Sequence, residues 1–220
     1  MIEGKAWDDL NESIRQLMFK YGFIEPSSWI RKAARLKYAA DRLFDIYETS
    51  NARFHERFTD EAEAGTGPVT VWHATPQVEL GKDIADISLL TEYCLLMGYA
   101  IENLLKGLLM AIHPECFKPD TKVTAVQGHS LIKLCNRCSV ALTPDEEDLL
   151  TRLTEHIVWV AKYPVPLELT QMYPRKQADG TWDGALNKFA GDKTKRVAED
   201  FYGKLRALLA EFQITEEDTE

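Results

Sequence analysis

The feature that most constrains the fold is a long apolar segment near the middle of the chain. Between about Lys82 and Ile112 the residues are apolar nearly all round a helix of 3.6 residues per turn. Such a helix needs other elements to cover it on most sides. The segment therefore predicts the central helix of a bundle. The dipeptide His113-Pro114 predicts its end, because a proline disfavours helical geometry in the residue before it.

The same segment is long enough to raise the question of a membrane span. Polar residues interrupt it, and a bilayer would bury them at high cost; they are Glu92, Glu102, Asn103 and Lys106. We therefore expect a buried helix of a soluble protein and no membrane partner. The N-terminal sequence has no basic region followed by an apolar core, so we predict no secretory signal and expect a cytoplasmic protein.

Nearly every other periodic segment also has the helical period. These segments predict helices at about 6–21, 29–58, 128–140, 144–162 and 193–212. The strongest local signal is Thr143-Pro-Asp-Glu146, in which the threonine suits the N-cap, the proline the first helical position and the glutamate a capping box. The predicted fold class is all-α, as an up-and-down helical bundle of four to five main helices.

Two long loops interrupt the predicted bundle, at about 59–82 and 163–190. In the first, Val69-Thr-Val-Trp-His73 alternates in polarity and predicts a short edge strand. We divide the chain into an N-terminal helical appendage at 1–25, the bundle at 26–212 and an acidic flexible tail at 213–220. Loops of such length in a compact domain are usually functional or mobile.

The charge distribution argues against a surface that attracts nucleic acid everywhere. The formal net charge is −9, which leaves only a local basic patch for such a role. The helix predicted at 29–58 has a largely basic surface side, for which a solvated face is the default interpretation; its basic residues are Arg31, Lys32, Arg35, Lys37, Arg42, Arg53 and Arg57.

Two short pairs of residues imitate a four-ligand zinc site. They are His113 with Cys116 and Cys135 with Cys138, each pair separated by two residues. Cys135 and Cys138 fall in a segment of helical apolar spacing, where free cysteine is a common small core residue. We therefore predict no metal and no cofactor, while the spacing alone leaves a zinc site open.

Three motifs together resemble the HEPN family, the "higher eukaryotes and prokaryotes nucleotide-binding" helical domains. They are Tyr99-Ala-Ile-Glu-Asn-Leu-Leu-Lys-Gly-Leu-Leu109 on the central helix, Gly128-His-Ser-Leu131 opening a short helix, and Lys162-Tyr-Pro164 closing the next. The resemblance covers about residues 29–212. It implies a bundle that is often a homodimer. It also implies RNA cleavage or nucleotide binding in toxin or anti-phage systems, with an antitoxin or a nucleotidyltransferase as possible partner.

The ribonuclease members of that family carry an arginine, four to six further residues and then a histidine, and they cut RNA without metal. The best candidate in this chain is Arg152 with His156, which has three intervening residues. A separation of four residues turns a straight helix by about 40°, so the two side chains should share a face. Glu155 is an alternative partner for the arginine, and the plain interpretation is a helix surface with ordinary ion pairs.

Five further residues are candidates for binding. Lys162 and Tyr163 suit phosphate and a base, whereas Glu102, Asn103 and Lys106 form either a solvent-facing stripe or, if buried, a polar pocket. We interpret His129 as a helix-start residue. We therefore predict a nucleotide- or RNA-binding module without a standard nuclease motif. The alternatives are a metal-independent ribonuclease that uses Arg152 and His156, and a helical scaffold for a partner protein.

Overall fold

A computed structural model describes residues 13–15, 17, 25–63, 77–116, 126–160, 175–176, 182–183 and 192–217. Its helices are α1 (Pro26–Glu63), α2 (Gln77–Ile112), α3 (Leu131–Arg137), α4 (Pro144–Glu155) and α5 (Asp192–Glu217). A 3₁₀ turn, Pro114–Cys116, follows α2, and a π-helical turn, His156–Val160, continues α4. The strands Arg175–Lys176 (β1) and Trp182–Asp183 (β2) pair antiparallel. Across these residues the all-α prediction is confirmed.

The helix positions follow the predicted order, but three of the helices are longer than expected. α1 continues five residues beyond Phe58, α2 begins five residues before Lys82, and α5 continues to Glu217. The extensions of α1 and α5 are mostly polar, so the apolar period on which the prediction rested does not detect them, and the extension of α2 contains Gly81, a weak helix former. The predicted strand at 69–73 lies outside the described residues, and so does most of the predicted helix at 6–21.

α2 lies at the centre of the bundle. Its residues from Tyr93 to Met110 supply the largest share of the buried core, and α1, α3, α4 and α5 all pack against it. α1 runs antiparallel to α2. Contacts along the two helices join Trp29 to Gly107, Phe44 to Tyr93, and Ser50 to Asp86.

The span Ser88–Ile112 has the length and composition of a membrane-crossing helix, but 61% of its most apolar window is buried inside the protein. The larger part of that window is therefore covered by the rest of the bundle.

Two glycines let neighbouring elements approach α2 closely. A Cβ atom on Gly98 would lie 2.9 Å from Ile157 Cγ1 and 3.4 Å from the carbonyl oxygen of Leu153. A Cβ atom on Gly107 would lie 3.1 Å from Trp29 Cβ. Distances near 3 Å are shorter than ordinary van der Waals contacts. The end of α4 and the first turn of α1 are thus seated directly on the α2 backbone.

The predicted capping box of α4 is confirmed. Thr143 Oγ1 accepts a hydrogen bond from the backbone N–H of Glu146, whose carboxylate accepts one from the backbone N–H of Thr143. Lys204 of α5 donates to the same carboxylate at 3.0 Å and to the Ala141 carbonyl oxygen at 2.7 Å. The start of α4 is therefore fixed both locally and by α5.

Candidate functional site

Three polar side chains meet at one side of α2, where that helix is otherwise apolar. The Glu102 carboxylate forms an ion pair with Lys106, one turn further along α2, and contacts Nδ1 of His129 at 3.1 and 3.2 Å. The Glu102 side chain is 4% exposed and that of Lys106 is 12% exposed, whereas that of His129 is 48% exposed. We call these three residues the polar trio. Its most exposed member is the His129 imidazole.

The Glu102 carboxylate determines which imidazole nitrogen faces the protein. An ionised carboxylate only accepts hydrogen bonds, so His129 Nδ1 must carry the hydrogen and donate it. In neutral His129, Nε2 is then the nitrogen with a free lone pair. A histidine held in this way has a defined tautomer and orientation, as functional histidines commonly do.

The neighbouring residues of α2 support the trio without joining its ion pair. Tyr99 lies one turn before Asn103, and its ring meets the His129 ring edge-on, with 6.4 Å between the ring centroids. Asn103 Nδ2 donates to the Tyr99 carbonyl oxygen at 2.6 Å. Asn103 therefore bonds back to its own helix, and the polar pocket considered from the sequence consists of Glu102 and Lys106 with a partner from outside α2.

The segment that carries His129 is fixed by the beginning of α3. Gly128 has a φ of 93°, a conformation that residues with a side chain rarely adopt. Ser130 is the N-cap of α3, and its hydroxyl accepts a hydrogen bond from the backbone N–H of Lys133. The backbone N–H of Leu131 donates to Thr154 Oγ1 of α4 at 3.2 Å. These contacts set His129 against α2.

The predicted catalytic pair has a different environment. His156 is 5% exposed, and its Nδ1 lies 2.9 Å from the Arg152 carbonyl oxygen, to which it must donate. The Arg152 side chain donates through Nε to Asp148 Oδ2 at 2.8 Å. The expectation of an exposed helix surface is thus wrong for His156. The Arg152 partner seen here is Asp148, which the sequence interpretation did not consider.

A π-helical turn begins at His156. Such turns are rare and frequently occur at functional sites. Here the turn packs against α2, with Ile157 fully buried above Gly98. It therefore places His156 towards the interior of the bundle.

The cysteines of the zinc-like pairs belong to the core as far as they are described. Cys135 and Cys138 are buried, and Cys138 Sγ contacts the Leu105 carbonyl oxygen at 3.4 Å. Burial raises the pKa of Cys135 to about 12 and that of Cys138 to about 11, so both thiols are neutral near pH 7. His113 pairs with Glu115, and the Cys116 side chain lies outside the described residues. Within the described part of the chain, no group of three or more His, Cys, Asp or Glu residues is placed to hold a metal ion.

The sequence interpretation missed the role of His129 as partner of Glu102. The two residues are 27 positions apart, and the partner at short spacing that the sequence offers Glu102 is Lys106. One sequence feature could have indicated the contact: Glu102 lies on a helix that is apolar nearly all round, and a histidine stands at the start of the next helix. Lys162 and Tyr163, the other predicted binding residues, lie outside the described residues.

Comparison with protein-family models, with curated proteins and with solved structures finds no significant match to this chain. The functional argument therefore rests on the geometry of the site.

Proposed function

We propose that the chain is a HEPN-like helical module that binds a nucleotide or RNA at the polar trio, and that it does not use Arg152 and His156 as a nuclease pair. The observation that carries this proposal is the half-exposed His129 imidazole held by a buried carboxylate, which is itself paired with a lysine. The HEPN resemblance supplies the ligand class, and the trio supplies a place for its phosphate.

The energetic cost of the trio supports a functional role. A buried ion pair loses hydration that its mutual attraction rarely recovers in full, so apolar residues of similar volume are often as stable or more stable. Among the described residues, the buried positions are apolar apart from Ser50, Glu102 and His156. Glu102 and Lys106 are therefore poorly explained by stability alone.

The chemistry of the trio suits a phosphate. With His129 protonated, one carboxylate faces two cations, and the trio carries one net positive charge. A phosphate oxygen at Nε2 of His129 would accept a charge-assisted hydrogen bond, which is stronger than a neutral one. Tyr99, beside the imidazole, adds an aromatic surface next to this position.

The test is equilibrium binding of two probes, AMP and a short single-stranded RNA, followed by fluorescence anisotropy with labelled ligand and by competition. His129→Ala should weaken AMP binding about tenfold or more, the effect of one lost hydrogen bond to a charged group. His113→Ala is the matched control, because the His113 side chain is 43% exposed and lies off the trio. Equal affinity of wild type and His129→Ala for both probes would refute the proposal.

The ribonuclease alternative retains one favourable observation, the π-helical turn that begins at His156. It requires cleavage of single-stranded RNA in the presence of a chelator, lost in both Arg152→Ala and His156→Ala. We expect no such cleavage, because His156 is buried and Arg152 is paired with Asp148. Cleavage that meets these conditions would replace the binding proposal with the nuclease.

We also propose that the protein is a homodimer, as the HEPN resemblance implies. Large apolar side chains remain exposed among the described residues, on several elements; they are Ile14, Leu17, Tyr38, Ile46, Val158 and Phe212. Light scattering at micromolar concentration should give twice the chain mass of 25.1 kDa. A particle with the mass of one chain would refute the dimer.

A further inference from the structure

The first half of α1 is basic in an acidic protein, although α1 as a whole carries seven basic and seven acidic residues. Between Pro26 and Phe44 the chain has five basic residues and one acidic residue, a net charge of +4, against −9 for the whole chain. That acidic residue, Asp41, is held by Lys37 at 2.8 Å. The remaining cations are exposed; they are Arg31, Lys32, Arg35 and Arg42.

Three of these arginines form a line with a tyrosine. Arg31, Arg35, Tyr38 and Arg42 follow one another at intervals of four, three and four residues, so they fall within an arc of about 60° on the helix. They cover about 16 Å of helix axis, at about 1.5 Å per residue. The opposite face of α1 carries the buried residues Ala33, Ala40 and Phe44. We call the four aligned residues the basic stripe.

Tyr38 adds an exposed aromatic ring to the stripe, which a helix face that only contacts solvent does not need. Its side chain is 64% exposed, the largest exposure among the described large apolar residues. The Arg42 guanidinium lies 5.4 Å from its ring centroid. Arg42 also approaches Asp45 at 3.8 Å, with both side chains more than half exposed. An exposed aromatic ring beside cations is an arrangement that proteins use to bind single-stranded nucleic acids, with bases stacked on the ring and phosphates on the cations.

The first turn of α1 packs on the helix that carries two residues of the polar trio. Trp29, in the first turn of α1, packs on Gly107 of α2, the residue after Lys106. Arg31 is two residues beyond Trp29. The stripe lies on the face of α1 that points away from α2, so an RNA bound at the trio would reach it by passing the first turn of α1.

We propose that the basic stripe on α1 is a binding track for single-stranded RNA, with its arginines on successive phosphates and Tyr38 stacked on a base. This inference rests on the proposed function, because it assigns the path of an RNA bound at the trio. A second copy of the chain is a poor occupant, since two-fold pairing through the stripe would oppose like charges. An anionic membrane is also disfavoured, because a membrane-binding face carries a row of apolar residues and the stripe has one aromatic residue.

The experiment compares two double variants that remove the same charge. Arg31→Gln with Arg35→Gln alters the stripe, and Arg196→Gln with Arg206→Gln alters exposed arginines of α5. The probes are AMP and a single-stranded RNA of about 12 nucleotides, within the usual site size of such proteins. Each affinity is measured over a range of salt concentrations, and circular dichroism checks that the variants fold.

The stripe variant should bind the RNA about tenfold more weakly and lower the slope of log K against log salt by about 1.4, the value for two lost phosphate contacts on a single strand. Its affinity for AMP should not change. The α5 variant should change RNA affinity less than about twofold. Equal losses in the two double variants, or an unchanged salt slope, would overturn the proposal.

Tyr38 tests the stacking contact separately. Tyr38→Ala should weaken RNA binding about tenfold, whereas Tyr38→Phe, which keeps the ring, should bind like wild type. Equal affinity of Tyr38→Ala and wild type would remove the stacked base from the proposal. Binding to vesicles that contain anionic lipid is measured with the same variants. Stripe-dependent binding to these vesicles, without binding to RNA, would overturn the RNA track in favour of a membrane-binding surface.

The two proposals fail in different ways in these assays. If the stripe variants have no effect on RNA while His129→Ala abolishes AMP binding, the track is wrong and the site stands. If RNA binding depends on the stripe while His129→Ala changes the affinity for neither probe, the proposal that the trio is the binding site is wrong. RNA binding by neither wild type nor variant would refute the track directly.

Discussion

Two pairs of polar side chains lie in this bundle at the same helical spacing and are similarly buried, but they differ in what they contact. Glu102 and Lys106 on α2 are joined to His129, which reaches solvent from a different element. Arg152 and His156 on α4 belong to one helix, where the imidazole bonds to the backbone carbonyl four residues earlier and is buried. The difference shows that a spacing of four residues brings side chains onto one face, but tertiary packing decides which residues of other elements that face meets.

The largest expected effect is on the stability of the two pairs. Glu102→Ala leaves Lys106 buried without its partner, which should lower the free energy of unfolding by about 3–5 kcal/mol. Asp148→Ala, which removes the half-exposed partner of Arg152, should cost at most about 1 kcal/mol. Urea unfolding monitored by circular dichroism measures both values.

The double variant Glu102→Leu with Lys106→Met removes the ion pair but keeps the volume of the two side chains, so it separates the effect of charge from that of packing. It should recover most of the lost stability, since apolar residues of similar volume replace a buried ion pair at little cost. It should still fail to bind AMP, because nothing then orients His129. Stability lost equally in Glu102→Ala and Asp148→Ala would show that the first pair is not buried as described.

A smaller change in stability tests how closely the π-helical turn that begins at His156 packs against α2. Gly98→Ala places a methyl group against Ile157 and the Leu153 carbonyl oxygen, so it should destabilise the protein by about 1–3 kcal/mol. Gly203→Ala is the matched control, because no atom lies within 4 Å of its Cβ position. On the exposed side of α5 that substitution should stabilise by about 0.5–1 kcal/mol. Thermal unfolding of both variants should therefore shift in opposite directions, and a shared direction would contradict the close approach of α2 and the π-helical turn.

The smallest expected effect concerns the opposite end of α4. Burial raises the pKa of Glu146, but the backbone N–H of Thr143 and the Lys204 ammonium lower it more, so the pKa lies below its ordinary value of 4.5. A depressed carboxyl pKa stabilises the fold above that value, and the contribution is lost as pH falls below it. Glu146→Gln should therefore lose less stability than wild type between pH 7 and pH 3, by a difference of up to about 1 kcal/mol. Identical pH profiles would show that the Lys204 contact contributes nothing.

The sequence predicts what depends on neighbours along the chain. The apolar period identified α2 as the central helix, the proline at 114 identified its end, and Thr143 with Glu146 identified the capped start of α4. It could not predict that His129 meets Glu102, because that contact depends on how α3 is seated on α2 and α4. For the same reason the sequence placed His156 on a surface, although it is 5% exposed next to Ile157, which packs on Gly98.

The central claim is that the polar trio is the open binding site and that His156 is closed. Chemical modification with diethyl pyrocarbonate, followed by mass spectrometry of each histidine peptide with and without bound RNA, tests both parts in one experiment. His129 and His113 have similar exposure, at 48% and 43% of the side chain, so both should react, whereas His156 should not. The account predicts that RNA protects His129 and leaves His113 reactive. Rapid modification of His156, or equal reactivity of His129 with and without saturating RNA, would contradict it.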